Sequence, residues 1–203
     1  MEDYLSFSVR DFAAATADKR PTPGGGTVAG VVGALATALG EMTLNFTRGK
    51  EAFAEFADAH DALAVRLARA RGMFADLTAD DASAYMLYTE AVKCKDQTKE
   101  AKMETALAAA IDVPRQMTAL AISVLESLVA MGRHCNKHLL TDLAAAAVLS
   151  EAVVRLSDYN VRVNAANLPD KSVGDELRRA SARDCKRAEE LRKTVEKIVS
   201  EYV

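Results

Sequence analysis

The segment of residues 21–26, PTPGGG, constrains the fold more than any other part of the chain. Two prolines and three consecutive glycines cannot continue a helix, and glycine also allows positive φ and a close approach of the backbone to a ligand. A stretch rich in alanine and valine follows at once, so a helix is predicted to begin at Thr27, a suitable N-cap. The free amides at its start form a site for a carboxylate or a polarised carbonyl group; the plain alternative is a tight turn between helices. With no strand before it and no Gly-Lys-Ser/Thr after it, the segment is neither a dinucleotide fingerprint nor a phosphate loop.

The helix predicted after this loop, over residues 27–48, carries little side-chain bulk. Small residues recur along and just before it: Gly26, Gly30, Gly33, Ala34, Ala38 and Gly40. Small side chains let helix backbones come close together, so we expect a central or interface helix. An alanine-rich chain without tryptophan is also expected to need a second copy to bury enough surface. Glu41 and Arg48 are expected to pair on the surface of this helix, and His60 is expected to be exposed.

Apolar residues recur at helical spacing through most of the remaining chain. The pattern predicts further helices over residues 9–18, 51–92, 98–130, 137–166 and 172–200. Capping boxes at Ser8 and Ser172 are predicted to open the helices at 9–18 and 172–200. Inside the 51–92 stretch a new helix could start at Thr78. Pro114 is expected to kink or break the helix at 98–130. No alternating strand pattern and no internal repeat occurs in the sequence. The sequence therefore predicts an all-α multi-helix bundle with long antiparallel helices, dimeric, with one domain covering residues 1–203.

Composition and charge exclude several classes of partner. The net charge of −3 shows no basic bias, so nucleic acid is not an expected partner. Three cysteines, odd in number and far apart, fit neither a zinc site nor a disulfide framework and indicate a reduced, cytoplasmic setting. The N-terminal residues lack a signal-peptide pattern, and the uncharged stretch 24–40 is shorter than the ~20 residues of a membrane span. His134 and His138 alone are too few ligands for a metal site.

Several short motifs occur in the order in which one group of folate enzymes carries them. They are PTPGGG at 21–26, NFTRGK at 45–50, DDASAY at 80–85, Asn136, Thr141-Asp142 and NVRVN at 160–164. On these motifs the chain resembles the cyclodeaminase/cyclohydrolase family from about Ser8 to Val203. The resemblance implies an all-helical fold, a homodimer as the building block and a tetrahydrofolate substrate, with no further cofactor. The chain departs from the family at two positions. His138 stands where the family has a second asparagine, and Glu51 follows Lys50 where the family usually has further basic residues after its Gly-Lys pair.

The reactions implied by the resemblance centre on one carbon that bridges two folate nitrogens. A cyclohydrolase adds water to the cationic bridge of 5,10-methenyltetrahydrofolate and gives 10-formyltetrahydrofolate, whereas a cyclodeaminase closes a formimino group onto the second nitrogen and releases ammonia. Both need proton transfers rather than a metal, and a carboxylate with an amine is sufficient for these. The length, without a formiminotransferase module, favours the cyclohydrolase. The alternatives are the cyclodeaminase and a catalytically inactive folate-binding or scaffold protein.

Three charged residues are the catalytic candidates on these motifs. Lys50 matches the family's Gly-Lys and could shuttle protons or hold the substrate's glutamate carboxylate; its alternative is a cation at a helix C-terminus. Asp81 is a candidate acid or base, or otherwise part of a capping box with Thr78. Asp142 lies among alanines, where a carboxylate is seldom buried unpaired, so we expect it to face the folate or, alternatively, to bond to a neighbouring backbone group or lysine.

Substrate binding is predicted for seven further residues: Gly24, Gly25, Gly26, Asn45, Asn136, Asn160 and Asn164. Asn160 and Asn164 share a helix face, and Asp142 lies on the same side five turns earlier, about 27 Å away along the axis. One small reacting centre cannot touch both ends of that helix, whereas an extended folate or two sites across a dimer can. The alternative for the two asparagines is hydrogen bonding to another helix.

Overall fold

The computed structural model describes residues 3–202, and over that range it consists of six α-helices joined by loops and short 3-10 turns. The helices are α1 (Val9–Ala17), α2 (Gly25–Asn45), α3 (Ala57–Lys93), α4 (Lys99–Gly132), α5 (Leu140–Ala165) and α6 (Lys171–Ser200). No strand occurs in this described range. The predicted all-α class is therefore confirmed.

Two of the predicted helix starts can be compared directly with the structure. Ser8 caps α1 as predicted, because its hydroxyl accepts a hydrogen bond from the main-chain N–H of Asp11 at 3.1 Å. The capping box predicted at Ser172 is wrong. Asp170 is the N-cap of α6, and its carboxylate accepts from the N–H of Ser172 at 2.8 Å. A charged acceptor nearer the helix start therefore takes the place of the serine hydroxyl.

The predicted start of α2 is wrong by two residues. The helix begins at Gly25, with Gly24 as N-cap in extended backbone (φ −114°, ψ −165°), and Thr27 is its third residue. None of the three loop glycines has positive φ; among the described glycines only Gly49 does, at 73°. The triplet therefore does not form a left-handed turn, and of its three residues only Gly26 lies at a close approach between chain segments, since a Cβ there would lie 2.0 Å from Asp81 Oδ1.

α3 and α4 are each continuous where the sequence suggested an interruption. Thr78 does not start a new helix, because its hydroxyl donates to the carbonyl of Phe74, one turn earlier, at 2.7 Å. Pro114 lies buried inside α4, which continues to Gly132, so the predicted break is wrong. Both helices pack along their length against neighbouring helices, and these tertiary contacts outweigh the local signals.

α2 lies between α3 and α5, with its small-residue face against α3. A Cβ added to Gly30 would lie 2.3 Å from Thr78 Oγ1, and one added to Gly33 would lie 2.4 Å from the ring of Phe74. The glycines thus allow side chains of α3 to pack directly against the backbone of α2. Because residue numbers rise along α2 while those of the contacted residues fall along α3, the two helices are antiparallel.

Ion pairs also join the C-terminal half of α2 to α3. Glu41 pairs with Arg71 at 2.8 Å, and Arg48, just past the helix end, pairs with Asp61 at 2.6 Å. The expected pair between Glu41 and Arg48 is therefore wrong, because each residue finds its partner on α3 instead.

The antiparallel arrangement gives the bundle two ends, which are named here by their residues. The glycine-loop end carries the start of α2, Asp81 of α3 and the end of α5. The lysine end carries Lys50, the start of α3 and the start of α5. The main-chain N–H of Asn136 donates to Thr47 Oγ1 at 2.9 Å and so joins the segment before α5 to the end of α2.

Among the described residues, α2 is the one helix whose length and composition would allow a membrane span, with 21 residues and a mean hydropathy of 1.5. It is longer than the uncharged stretch in the sequence because Glu41 lies inside it. Half of its most apolar window is buried within the bundle. A central helix of a bundle has the same composition, so α2 is weak evidence for a membrane.

Candidate active site

A cleft of about 410 Å³ opens at the glycine-loop end of the bundle. It is lined by Pro21, Thr22, Gly24, Gly25, Gly26, Asp81, Ala84, Tyr85, Tyr88, Ala110, Asn160, Val163, Asn164 and Asn167. The loop before α2, the middle of α3 and the end of α5 supply most of these residues. The cleft therefore brings together the glycine triplet, Asp81, Asn160 and Asn164 from the residues predicted as a site.

Asp81 is the single charged side chain among the lining residues. Its Oδ2 accepts a hydrogen bond from Thr27 Oγ1 at 2.8 Å, and the missing side chain of Gly26 makes room for it, since a Cβ there would lie 2.0 Å from Oδ1. Burial raises the pKa of Asp81 above its ordinary value of 3.8, against the opposing effect of hydrogen bonds from the side chain and main chain of Thr27. A carboxyl group with a raised pKa in a cleft is a candidate general acid–base group.

The two asparagines use their amide groups to hold their own positions. Asn160 donates from Nδ2 to the carbonyl of Leu156 in the same helix at 3.1 Å, and Asn164 donates to the carbonyl of Ala110 of α4 at 2.9 Å. For Asn164 this confirms the alternative interpretation, a hydrogen bond to another helix. The side-chain oxygens of both have no hydrogen-bond partner within residues 3–202, which leaves two fixed acceptors in the cleft wall.

Two aromatic residues of the cleft were missed as site residues. Tyr85 and Tyr88 follow Asp81 on α3 by four and seven residues, which places all three on one side of the helix. Both rings are substantially exposed, at 42% and 39%. The spacing from Asp81 is the signal that could have identified them. They provide flat apolar surface beside the carboxylate.

The remaining predicted site residues lie at the lysine end. Asn45 and Lys50 are exposed, and Lys50 has no ion-pair or hydrogen-bond partner in the described part of the chain. Asn136 caps the 3-10 turn before α5, because its Oδ1 accepts from the N–H of His138 at 3.2 Å. Asp142 lies half-buried in the first turn of α5 and, among residues 3–202, has no side-chain hydrogen bond or ion pair. The structure therefore places these four away from Asp81.

A second cavity, of about 460 Å³, lies at the lysine end and is lined in part by Lys50 and His60. His60 is only 2% exposed, so the expectation of an exposed histidine is wrong. The rings of Phe53 and Phe56 cover it, and the ring of Phe56 also stacks on that of His134 at 3.7 Å. Burial lowers the pKa of His60 below its ordinary value of 6.5, against an opposing hydrogen bond with the main chain of His134.

The two ends are separated by the length of α2. A helix of 21 residues is about 30 Å long, so a small reacting centre in one chain cannot include both Asp81 and Lys50. No group of three or more histidine, cysteine, aspartate or glutamate side chains that could hold a metal ion occurs within residues 3–202.

Comparison with known proteins gives a consistent set of relatives. Residues 8–183 match the family described as formiminotransferase-cyclodeaminase. The methenyltetrahydrofolate cyclohydrolase of Methylorubrum extorquens is 31% identical over 179 residues, which cover 83% of this chain and 84% of that protein. The formimidoyltransferase-cyclodeaminase of Gallus gallus is 27% identical over 166 residues, 79% of this chain but only 31% of that longer protein.

A solved structure has the same fold. The crystal structure of formiminotetrahydrofolate cyclodeaminase from Thermotoga maritima superposes with a TM-score of 0.89 at 28% identity. The match covers 97% of this chain and 98% of that one.

Proposed function

The chain belongs to the formiminotransferase-cyclodeaminase family, and from this premise we propose that it hydrolyses 5,10-methenyltetrahydrofolate to 10-formyltetrahydrofolate. The relative that covers most of both chains at 31% identity is a methenyltetrahydrofolate cyclohydrolase. The observation that carries the proposal is the cleft at the glycine-loop end, in which Asp81 is the single charge among the lining residues. The substrate's bridge is a cation, and a lone carboxylate in a cleft stabilises such a charge.

The reaction needs one carbon–oxygen bond formed, one carbon–nitrogen bond broken and one proton released. In the proposed mechanism the ionised Asp81 lies beside the bridge carbon and accepts a proton from the attacking water. The tetrahedral intermediate then loses its hydroxyl proton as the bond to the ring nitrogen breaks, and that nitrogen gains a proton. The net products are the formyl group and one proton delivered to solvent.

The other groups of the cleft are assigned to positioning the substrate. The amides of Gly25 and Gly26, in the first turn of α2, have no partner inside the helix and suit the oxygen that develops on the bridge carbon. The free side-chain oxygens of Asn160 and Asn164 suit N–H donors of the pterin ring. Gly24 shapes the entrance of the loop. We assign Asn45, Lys50, Asn136 and Asp142, at the lysine end, to the glutamate part of the substrate or to a second copy of the chain.

We further propose that the enzyme works in the cytoplasm as a homodimer or a higher homo-oligomer, without a cofactor other than the folate substrate. The three free, widely spaced cysteines support the first part. The outer face of α2, which is apolar and partly exposed, supports the second.

The second candidate function is formiminotetrahydrofolate cyclodeaminase. The superposition on the Thermotoga maritima cyclodeaminase over nearly the whole chain favours it. In that reaction the second folate nitrogen attacks the formimino carbon and ammonia leaves. The same carboxylate would then transfer a proton from the attacking folate nitrogen to the departing ammonia nitrogen.

The test is to mix the purified protein with methenyltetrahydrofolate and to follow the loss of its near-ultraviolet absorbance against a buffer blank. A protein-dependent loss that disappears in Asp81→Asn supports the hydrolase. Ammonia release from formiminotetrahydrofolate without hydrolysis of the methenyl compound would transfer the assignment to the cyclodeaminase. Tight folate binding with neither activity would indicate an inactive binding protein.

A further inference from the structure

The buried threonines of α2 and α3 differ in what their hydroxyl groups bind. Those of Thr37, Thr43 and Thr78 each donate to the main-chain carbonyl one turn earlier in the same helix, at 2.7–3.1 Å. Such a bond satisfies a buried hydroxyl group without any contribution from another helix. Thr27 instead donates to another helix, from its Oγ1 to Oδ2 of Asp81 at 2.8 Å. Its hydroxyl group is therefore directed at the charged group of the cleft.

The start of α2 determines the direction of this hydrogen bond. Thr27 is the third residue of α2, and its Oγ1 accepts from the main-chain N–H of Gly24, the N-cap, at 3.4 Å. The hydroxyl group can accept and donate at the same time, so its single proton goes to Asp81. The main-chain N–H of Thr27 also bonds to the Asp81 carboxylate. Two donors of one residue thus hold the carboxylate against the start of α2.

Thr27 itself has no access to a substrate in the cleft. It is fully buried and is not among the residues that line the cleft, whereas Asp81 is. Any effect of the Thr27 hydroxyl group on a reaction in the cleft must therefore act through Asp81.

Few ionisable groups surround Asp81 in the cleft. The lining residues from the glycine loop, α4 and α5 are all uncharged. The titratable neighbours on α3 are Tyr85 and Tyr88, a residue type that is neutral in the acid range, and Asp80, which precedes Asp81 and is exposed. The hydrogen bonds from Thr27 are therefore the main interaction that opposes the effect of burial on the pKa of Asp81.

We propose that Thr27 is a positioning residue for the hydrolysis, whose hydroxyl group orients the Asp81 carboxylate to take the proton of the attacking water. The proposal rests on the proposed function, because it concerns how Asp81 acts in that reaction. The proton moves from the water to a carboxylate oxygen while the water oxygen forms its bond to the bridge carbon. The hydrogen bond from Thr27 restricts the carboxylate to one orientation and favours its ionised form, the form that can accept this proton.

Thr27→Val tests the proposal, because valine has nearly the shape of threonine and lacks only the hydroxyl group. We expect kcat to fall about 10-fold and the acidic limb of its pH profile to move to higher pH by about 1 unit, as for the loss of a hydrogen bond to a charged group. KM should stay unchanged, since Thr27 has no contact with the substrate. Thr27→Ser, which keeps the hydroxyl group, should restore the wild-type profile.

Thr37→Val is the matched control, because Thr37 is equally buried in the same helix but donates to the carbonyl of Gly33. It should leave the pH profile of kcat unchanged. A wild-type profile in Thr27→Val would overturn the proposal. So would the same shift in Thr37→Val, or a Thr27→Ser protein as impaired as Thr27→Val, since either result would attribute the loss to packing.

NMR of the Asp81 carboxyl carbon tests the interaction without any activity measurement. This signal, identified as the one that is missing in Asp81→Asn, should titrate at higher pH in Thr27→Val than in the wild type. An unchanged titration would overturn the proposal. A wild type that is inactive on methenyltetrahydrofolate, with the titration shifted in Thr27→Val, would refute the proposed function and leave the positioning of Asp81 by Thr27 standing. If Thr27→Val does not fold, Thr27→Ala, with a smaller side chain, takes its place with the same outcomes.

Discussion

Replacing Gly26 by alanine tests the contact that holds Asp81 in the cleft. The added Cβ would lie 2.0 Å from Asp81 Oδ1 and 2.5 Å from its carboxyl carbon, distances that real Cβ atoms essentially never show. The carboxylate must therefore retreat by about 1 Å or more, since the approach of nonbonded atoms is limited to their van der Waals contact. That movement breaks the 2.8 Å hydrogen bond from Thr27 Oγ1.

The expected size of the effect follows from two opposing contributions. Loss of a hydrogen bond to a charged group costs about 1.5–3 kcal/mol, and the lower half of that range applies here because Asp81 is only half-buried. Alanine in place of glycine in a helix returns up to about 1 kcal/mol. We therefore expect Gly26→Ala to lower the free energy of unfolding by about 1 kcal/mol and to reduce turnover, because Asp81 is displaced from the substrate.

Gly25→Ala is the matched control for stability, because it lies one residue away in the same helical turn and its Cβ would have no atom within 4 Å. This variant should be as stable as the wild type or more stable by about 0.5–1 kcal/mol. Urea denaturation of both variants measures the difference. In an Asp81→Ala background the penalty at Gly26 should disappear. Equal stability of the two alanine variants would refute the placement of Asp81 against Gly26.

The remaining predictions concern packing and pH. Gly33→Ala should destabilise by about 1–3 kcal/mol, since its Cβ would lie 2.4 Å from the ring of Phe74, whereas Gly72→Ala, with no atom within 4 Å, should stabilise by about 0.5–1 kcal/mol in urea denaturation. Because the folded pKa of Asp81 is raised above 3.8, its contribution to stability should decrease as pH rises from 3.8 through that raised pKa, so the free energy of unfolding of the wild type relative to Asp81→Asn should fall over this range; identical urea midpoint profiles would contradict this. Because the folded pKa of His60 is lowered below 6.5, the wild type should lose stability as pH falls from 6.5 through that lowered pKa; a His60→Gln profile with the same slope would exclude His60 as the cause.

The helical class could be predicted from the sequence because its signals are local. Apolar periodicity and the Ser8 cap depend on residues a few positions apart, and α1 begins where they indicate. The errors occur where distant segments decide the outcome. Thr78 has the local pattern of a helix start, but packing against α2 keeps α3 continuous there. His60 was expected to be exposed, but the ring of Phe53 and the segment around His134 cover it. His134 lies more than seventy residues later in the chain, so the local pattern around His60 does not show this contact.

The sequence predicted some of the residues that the structure brings together in the cleft, and the separation of the others has a geometric reason. The glycine loop, Asp81, Asn160 and Asn164 meet in one cleft, although no local pattern relates them. Lys50 and Asp142 belong to motifs of the same family but lie at the other end of the bundle. Counting residues along α5 already showed that its two ends are too far apart for one small centre.

α3 runs without interruption from the lysine end of the bundle to the glycine-loop end, so a tilt of the helix at one end moves residues at the other. His60 is fixed near one end of this helix by the rings around it, and Asp81 lies 21 residues farther along, at about 31 Å. A tilt of about 2° about the histidine would therefore move the carboxylate by about 1 Å, a misplacement that can cost about 100-fold in rate. The packing around His60 therefore contributes to the position of the Asp81 carboxylate, with which it has no contact.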